Sequence, residues 1–224
     1  MLDWLPENIS LEGKEVDFFF YISYYLTTIT FILVAVTMAA FLIIYRQKPG
    51  QKAKYSHGNN TLEIIWTVVP TVILLVFVLM TQASWARLKY TPPANPDVRV
   101  EVIGKQFNWV IVYPGPDQKF GTSDDLKLDN QLNVPVNKQV LITLKGEDVI
   151  HSFFIPAVRL KQDILPGRKI PFWFTPIKTG TYEMPCAELC GVGHSGMKGE
   201  LVVHTEESYK KWLKTAWSKK EEKS

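Results

Sequence analysis

Charged residues are missing from two long stretches of this 224-residue chain, although 21% of all its residues are charged. No Asp, Glu, Lys or Arg occurs from residue 18 to residue 45, nor from residue 64 to residue 86. Each stretch exceeds the roughly 20 apolar residues that a helix needs to cross the hydrocarbon core of a membrane. Because the core helices of soluble proteins seldom run so far without charge, we predict two transmembrane helices.

The residues that flank the two stretches predict the orientation of the chain in the membrane. Acidic residues precede the first stretch and no small-residue cleavage site follows it, so we expect a retained helix rather than a cleaved signal sequence. The loop 46–62 between the predicted helices has only basic charges, on Arg46, Lys48, Lys52 and Lys54. Because basic loops remain in the cytoplasm, both termini are predicted on the opposite side of the membrane. We therefore expect an integral protein of a bacterial or mitochondrial inner membrane, with its termini in the periplasm or intermembrane space.

The low net charge, the absence of a haem-binding motif and the small number of cysteines narrow the class of protein further. A formal net charge of only +3 gives no reason to expect a nucleic-acid partner. The sequence has no C-x-x-C-H motif, so we expect this chain to bind no c-type haem. It has only two cysteines, Cys186 and Cys190. On the exported side of a membrane, a disulfide between them is the default interpretation.

The second half of the chain is typical of β structure. After the proline-rich stretch "TPPANPD", short runs rich in Val, Ile and aromatic residues alternate with turn signals, and no helical pattern intervenes. Such runs predict an antiparallel β-sandwich or Greek-key barrel. The predicted organisation is an exported N-terminal segment (1–17), two transmembrane helices (18–45 and 63–87) around a cytoplasmic loop (46–62), a linker (88–97), a β domain (98–205), and a C-terminal amphipathic helix with a charged tail (206–224).

The stretch "CAELCGVGHSGM", residues 186–197, concentrates metal-binding side chains among glycines, which favour a loop over a helix. Structural zinc sites seldom use methionine and usually space their cysteines more closely. Thiolate, imidazole and thioether groups together suit copper. A blue-copper site needs one cysteine, whereas two thiolates can bridge two copper ions. His151, on an earlier predicted strand, is the candidate for a remote ligand.

The pattern C-x-E-x-C-G-x-x-H-x-x-M, together with the upstream "HSFFIPAVRLKQDILPGR", resembles the binuclear CuA signature of cytochrome c oxidase subunit II. The resemblance covers nearly the whole chain. It implies a membrane-anchored all-β protein, in which a two-helix transmembrane hairpin precedes a cupredoxin-like Greek-key β-sandwich or barrel.

The same resemblance implies a set of metal ligands. The thiolates of Cys186 and Cys190 would bridge two copper ions. His151 and Met197 would complete one copper, while His194 and the backbone carbonyl of Glu188 would complete the other. The Glu188 side chain would face a magnesium ion shared with subunit I.

Two aromatic residues are candidates for the point where electrons reach the copper. In "GKQFNWVIVY", Phe107 occupies the position where the family usually has a tryptophan, and Trp109 follows two residues later. The alternative is that both residues pack as ordinary strand residues.

Further roles are implied for charged residues. Glu63 matches the mouth of a proton path into the catalytic subunit, although an acid there also complements a helix dipole. Asp148 matches a carboxylate beside the copper, where electrostatic steering of a donor is one hypothesis. Lys161, Asp163 and Arg168 match positions near the subunit boundary, where ion pairs conduct charge or hold the interface. The acidic segment 115–129 is either a calcium-binding loop or a solvated hairpin tip.

The function implied by the resemblance is electron relay within a haem-copper oxygen reductase. The chain would accept electrons from cytochrome c, or from a c-type haem subunit, and pass them to haem in subunit I. There, and not in this chain, oxygen would be reduced to water with proton pumping. Other oxidase subunits would complete the assembly.

Three other functions are possible. The first is a CuA subunit of a nitric or nitrous oxide reductase. The second is a structural subunit of a quinol oxidase, although such subunits lack the copper ligands found here. The third is a copper-delivery protein, which would release its metal to mild chelators.

Overall fold

The computed structural model describes residues 5–53 and 55–221, so Lys54 of the basic loop lies outside the described residues. The chain divides into two compact units. One is formed by Asp17–Trp85, and the other by the residues before and after that segment.

Two long helices, α1 (Leu11–Ile44) and α2 (Asn60–Lys89), contain the uncharged stretches. Both are long and apolar enough to cross a membrane. They contact each other within the helical unit, where the rings of Phe19 and Phe77 lie 5.9 Å apart.

Both helices begin before the stretches predicted to span the membrane, because polar residues cap them. The Ser10 hydroxyl accepts the Gly13 N–H at 2.9 Å, and the Asn59 side chain accepts the Leu62 N–H at 3.1 Å. Such caps satisfy amide donors that have no partner inside the helix. The α1 helix therefore starts seven residues ahead of the predicted span at 18–45 and includes acidic residues in its first turns.

The β domain contains ten strands. They are β1 (Val98–Lys105), β2 (Asn108–Tyr113), β3 (Leu126–Asp129), β4 (Gln131–Pro135), β5 (Val140–Gly146), β6 (His151–Ile155), β7 (Leu160–Ile164), β8 (Lys169–Phe174), β9 (Gly180–Pro185) and β10 (Lys198–His204). A five-stranded sheet has the order β3-β2-β1-β5-β8, and a three-stranded sheet has the order β4-β10-β9. Strands β6 and β7 form a separate antiparallel pair.

The strand patterns predict antiparallel sheets, but the two larger sheets are mixed. Strand β1 runs parallel to β5, and β10 runs parallel to β4. These partners are distant in sequence, so the alternation within each strand carries no information about their relative direction. The stretch 98–113, which alternates without a break, is folded at Gln106–Phe107 into the β1–β2 hairpin.

The domain core consists of apolar side chains from these sheets, and its aromatic part lies next to His151. The Trp109 ring lies 5.3 Å from the Phe153 ring and 5.9 Å from the His151 ring. Phe153 in turn lies 5.4 Å from Phe172. All these contacts are edge-on, the geometry that aromatic pairs prefer.

The segment that precedes α1 is part of the β domain. Ile9 is fully buried, its N–H donates to the Ala157 carbonyl at 2.8 Å, and its carbonyl accepts the Ile177 N–H at 2.7 Å. The Glu12 side chain accepts the Thr175 N–H at 2.8 Å. An exported N-terminal segment was expected, but its packing into the domain was not.

The chain continues after β10 into α3 (Glu206–Glu221), whose apolar side packs on the domain, with the Trp212 ring 5.4 Å from Tyr113. Before β3, the acidic loop is held by its own carboxylates. The buried Asp125 accepts the N–H groups of Gly121 and Thr122 at 2.6 and 3.2 Å. Asp125, one of the acidic residues of the segment 115–129, is thus engaged by backbone N–H groups. Calcium binding and a solvated hairpin tip both stay predictions for this segment.

Candidate metal centre

The loop 186–197 joins β9 to β10 at one end of the domain. Its two ends are held together because the Cys186 N–H donates to the Met197 carbonyl at 3.0 Å. The Ala187 N–H donates to the Ser152 carbonyl at 2.9 Å, which ties the loop to β6. Gly191 adopts a φ of 134°, a backbone conformation that other residues rarely adopt. The loop therefore curls back against the strand that carries His151.

The structure brings together potential ligand atoms from all six residues that the sequence singled out as copper ligands. The two thiol sulfurs lie 3.9 Å apart. Around Cys186 Sγ, His151 Nδ1 lies at 3.9 Å and the Glu188 carbonyl oxygen at 3.3 Å. Around Cys190 Sγ, His194 Nδ1 lies at 3.6 Å and Met197 Sδ at 3.7 Å.

These atoms are largely shielded from water. His151, Cys186, Cys190 and Met197 are buried, whereas His194 is partly exposed. Both cysteines are free thiols. Burial, together with the neighbouring Cys186 thiol, raises the pKa of Cys190 to about 11. A metal that replaces the thiol protons relieves this unfavourable ionisation, because only thiolates coordinate.

Asp148 lies directly behind His151 and orients its ring. Asp148 Oδ1 lies 2.8 Å from His151 Nε2. Burial tends to raise the pKa of Asp148, but hydrogen bonds from His151, from the Gln106 N–H and from the Val149 N–H outweigh it and lower the pKa. An ionised carboxylate only accepts, so Nε2 carries the proton and Nδ1 offers its lone pair toward the sulfurs.

The two aromatic candidates for electron transfer lie in different environments. Trp109 is fully buried, and its Nε1–H donates to the Met184 carbonyl at 3.1 Å. Phe107 is 36% exposed. Its ring lies against the loop, since a Cβ added to Gly193 would come 2.5 Å from Phe107 Cδ2. Phe107 is therefore the aromatic residue of this pair that links the loop to the surface.

The charged residues predicted near a subunit boundary do not join the ligand cluster. Asp163 accepts a hydrogen bond from the Ser152 hydroxyl at 2.7 Å and so braces β6 against β7. Lys161 and Arg168 are exposed, and the Glu188 side chain also faces solvent. In the helical unit, Glu63 lies exposed in the first turn of α2.

One residue of the site was not anticipated from the sequence. The Gln106 side chain donates from Nε2 to the Cys190 carbonyl at 2.5 Å, and its backbone N–H donates to Asp148 Oδ2 at 2.7 Å. The only sequence feature that pointed to Gln106 was its position directly before Phe107. That position does not reveal a contact with a loop more than eighty residues away.

The chemistry of this donor set fits copper. Two thiols, two imidazoles, a thioether and a carbonyl form a mainly soft set, which suits copper better than calcium or magnesium. The His151, Cys186 and Cys190 ligand atoms all lie within 4.8 Å of one another, as binding to one metal cluster requires. His151 lies on β6, and hydrogen bonds tie the loop that carries the other donors to itself and to β6. Donors held in place in this way suit electron transfer, which needs little rearrangement.

Both the helical segment and the β domain resemble parts of known proteins. Residues 98–205 match the family "Cytochrome C oxidase subunit II, periplasmic domain", and residues 6–82 match "Cytochrome C oxidase subunit II, transmembrane domain". The chain is 32% identical to the alternative cytochrome c oxidase subunit 2 of Bradyrhizobium diazoefficiens, over 94% of this chain and 82% of that protein. It is 33% identical to cytochrome c oxidase subunit 2 of Cereibacter sphaeroides, over 85% of this chain and 73% of that protein.

A solved structure supports the fold of the β domain. The periplasmic domain of subunit II of cytochrome oxidase from Bradyrhizobium japonicum is 31% identical in sequence and superposes with a TM-score of 0.51. The match covers 58% of this chain and 99% of that domain.

Proposed function

The chain belongs to the cytochrome c oxidase subunit II family, and from this premise we propose that it carries a binuclear CuA centre and relays electrons from a cytochrome c to haem in subunit I. Membership makes it a membrane-anchored subunit of a haem-copper oxidoreductase. Reduction of oxygen and its coupling to proton pumping belong, in this proposal, to the partner subunit.

The observation that supports this function best is the convergence of six potential ligands from strand β6 and the loop 186–197. Cys186 and Cys190 would bridge two copper ions, whose chemistry is to accept and release one electron at a time. The other assignments are His151 and Met197 to one copper, and His194 and the Glu188 carbonyl to the other. The protein holds these donors on a rigid scaffold, so little structure has to reorganise when the charge changes.

We assign electron transfer from the donor into the centre to Phe107 rather than Trp109. Phe107 combines exposure with direct contact to the loop, whereas Trp109 is sealed inside the core. Trp109 instead supports the His151 ligand, since the two rings pack against each other in the core.

The donor is proposed to dock through apolar contacts. Gly191 and Gly193, which flank Val192, lie against the Phe107 ring. Val192 and Leu189 of this loop are 103% and 75% exposed, and Ile150, next to His151, is 48% exposed. Asp148, considered above for donor docking, is engaged by His151 and Gln106. We therefore expect the rate of electron transfer from the donor to vary little with ionic strength, because apolar contacts are not screened by salt. A steep fall of that rate with added salt would contradict this part of the proposal.

The opposite partner is subunit I. The exposed Glu188 side chain is proposed to bind a magnesium ion shared with that subunit, because a carboxylate suits a hard cation. The exposed Lys161 and Arg168 are proposed to contact the same partner. Asp163, which braces β6, is proposed to act at this boundary mainly by holding its own domain in shape.

The orientation and the proton path are proposed from the helical unit. The basic loop that contains Arg46, Lys48 and Lys52 is assigned to the cytoplasmic or matrix side, which puts the metal centre on the periplasmic or intermembrane side. Glu63 at the start of α2 then lies on the side from which protons are taken up.

The deciding experiment is electron paramagnetic resonance with copper quantification on the purified full chain. Two copper ions per chain with a mixed-valence signal are expected. A disulfide between Cys186 and Cys190, zinc in the purified chain, or ready release of copper to a mild chelator would refute the proposal.

A further inference from the structure

Gln106 lies in the turn between β1 and β2 and contacts two parts of the metal centre at once. Its Nε2 donates to the carbonyl oxygen of Cys190 at 2.5 Å. Its backbone N–H donates to Asp148 Oδ2 at 2.7 Å, and Asp148 Oδ1 in turn holds His151 Nε2 at 2.8 Å. One residue of the hairpin therefore connects the loop that carries the thiols with the strand that carries the remote histidine.

These bonds are specific to the site rather than part of the regular sheet. Strand pairing fixes β1 against β2, but it does not reach the middle of the loop 186–197. Within the described residues, the backbone of the loop is otherwise tied near its ends and by turns of its own. The Gln106 amide is thus the contact that holds the backbone at Cys190 against the rest of the domain.

The same contact explains why a glycine, Gly191, follows Cys190. A Cβ added to Gly191 would lie 2.7 Å from Gln106 Nε2, and the φ of Gly191 is +134°. Any larger residue at this position would push the amide away from the Cys190 carbonyl. The sequence Cys190-Gly191 therefore fits the side chain of Gln106 as well as the curl of the loop.

We propose that Gln106 is a positioning residue of the metal centre, which holds Cys190 in place through its carbonyl and directs an N–H dipole at that residue. This assignment rests on the proposed function. Fixing the Cys190 backbone fixes Cys190 Sγ relative to Cys186 and His194. The positive end of the amide dipole withdraws charge from Cys190 and so favours the reduced state of the centre. Residues that orient ligands from behind typically change metal affinity or activity by about 10- to 100-fold when they are replaced.

The test uses the full chain loaded with copper and two replacements of this residue. Gln106→Leu removes the donor, and Gln106→Glu replaces it with a negatively charged acceptor of nearly the same shape. We expect copper to pass to an added chelator about 10- to 100-fold faster from both variants than from the wild type. We also expect the reduction potential to fall in the order wild type, Gln106→Leu, Gln106→Glu.

Gln118→Leu is the matched control, because Gln118 also donates from Nε2 to a backbone carbonyl, that of Gly115 at 3.3 Å, outside the metal centre. Thermal unfolding of the copper-free forms separates a loss of folding from a loss of positioning. If Gln106→Leu matches Gln118→Leu in potential and copper release, or lowers only the unfolding temperature, the assignment is wrong. A wild-type chain without the mixed-valence signal would overturn the proposed function, and this assignment with it.

Discussion

The carboxylate of Asp148 and the imidazole of His151 form a hydrogen bond of 2.8 Å on the side of the ring that faces away from the thiols. The other ring nitrogen, Nδ1, lies 3.9 Å from Cys186 Sγ. A buried imidazole held in this way presents its lone pair in one direction, which is how ligating histidines are commonly oriented.

Replacement of Asp148 therefore tests the support of the remote ligand. We expect Asp148→Leu to lose copper to a chelator about 10- to 100-fold faster than the wild type, because His151 is no longer oriented. Asp148→Asn keeps an acceptor oxygen and should lose less. Asp97→Leu is the control, since Asp97 also accepts a backbone N–H, from Gln139 at 2.8 Å, outside the centre. Equal release from the two leucine variants would show that Asp148 does not support the ligand.

The contact between Phe107 and the loop is tested without changing the aromatic ring. A Cβ at Gly193 would clash with Phe107, whereas a Cβ at Gly196 meets no atom within 4 Å. We expect Gly193→Ala to slow electron transfer from the donor by roughly tenfold or more, because the ring is displaced from its contact. Reduction by dithionite should be unchanged. Gly196→Ala should behave as the wild type in stopped-flow measurements, and equal slowing in both variants would exclude a specific role for Phe107.

Trp109 is expected to matter for stability rather than for contact with the donor. Trp109→Phe removes the hydrogen bond from Trp109 Nε1 to the Met184 carbonyl. It also places a smaller ring in the core. We expect the free energy of unfolding to fall by about 1–3 kcal/mol. Trp217→Phe, at a partly exposed position on α3, should cost less in the same denaturant titration. A Trp109→Phe variant of normal stability with slow electron transfer from the donor would reverse our assignment of the two aromatic residues.

His204 predicts a pH dependence at the junction of β10 and α3. Burial lowers the pKa of His204 in the folded protein. Its ring lies 2.8 Å from the Asn133 side-chain oxygen and stacks on Trp212. Because the folded state favours neutral imidazole, this contribution is complete above the unfolded pKa of about 6.5 and is lost as the pH falls below it.

The measurement is the unfolding temperature of the β domain in the full chain between about pH 7 and pH 5. We expect it to fall less steeply in His204→Phe than in the wild type. His57→Phe, in an exposed loop, should leave the slope unchanged. The same slope in all three proteins would show that His204 does not contribute.

Glu63 is tested in the assembled oxidase. Glu63→Gln removes a charge at the first turn of α2 and should slow proton uptake, while reduction of the copper centre by the donor remains normal. Unchanged turnover would leave Glu63 with only the role of complementing the helix dipole, which is worth about 0.3–1 kcal/mol.

The sequence by itself determined the division of the chain and the identity of the candidate ligands. A stretch of more than about 20 apolar residues without charge forms few structures other than a membrane helix. Alternating apolar residues predicted the strands, and the spacing of Cys186, Cys190, His194 and Met197 predicted a shared site. These features are local, because each depends on residues close together in the chain.

The tertiary structure decided what depends on contacts between distant segments. Phe107 and Trp109 are two residues apart and would face the same side of a continuous strand. The turn at Gln106–Phe107 separates them, so one lies on the loop and the other in the core. Likewise, only folding brings Gln106 to Cys190, Asp148 to His151 and Ile9 into the β domain, because no sequence period records which surfaces pack together.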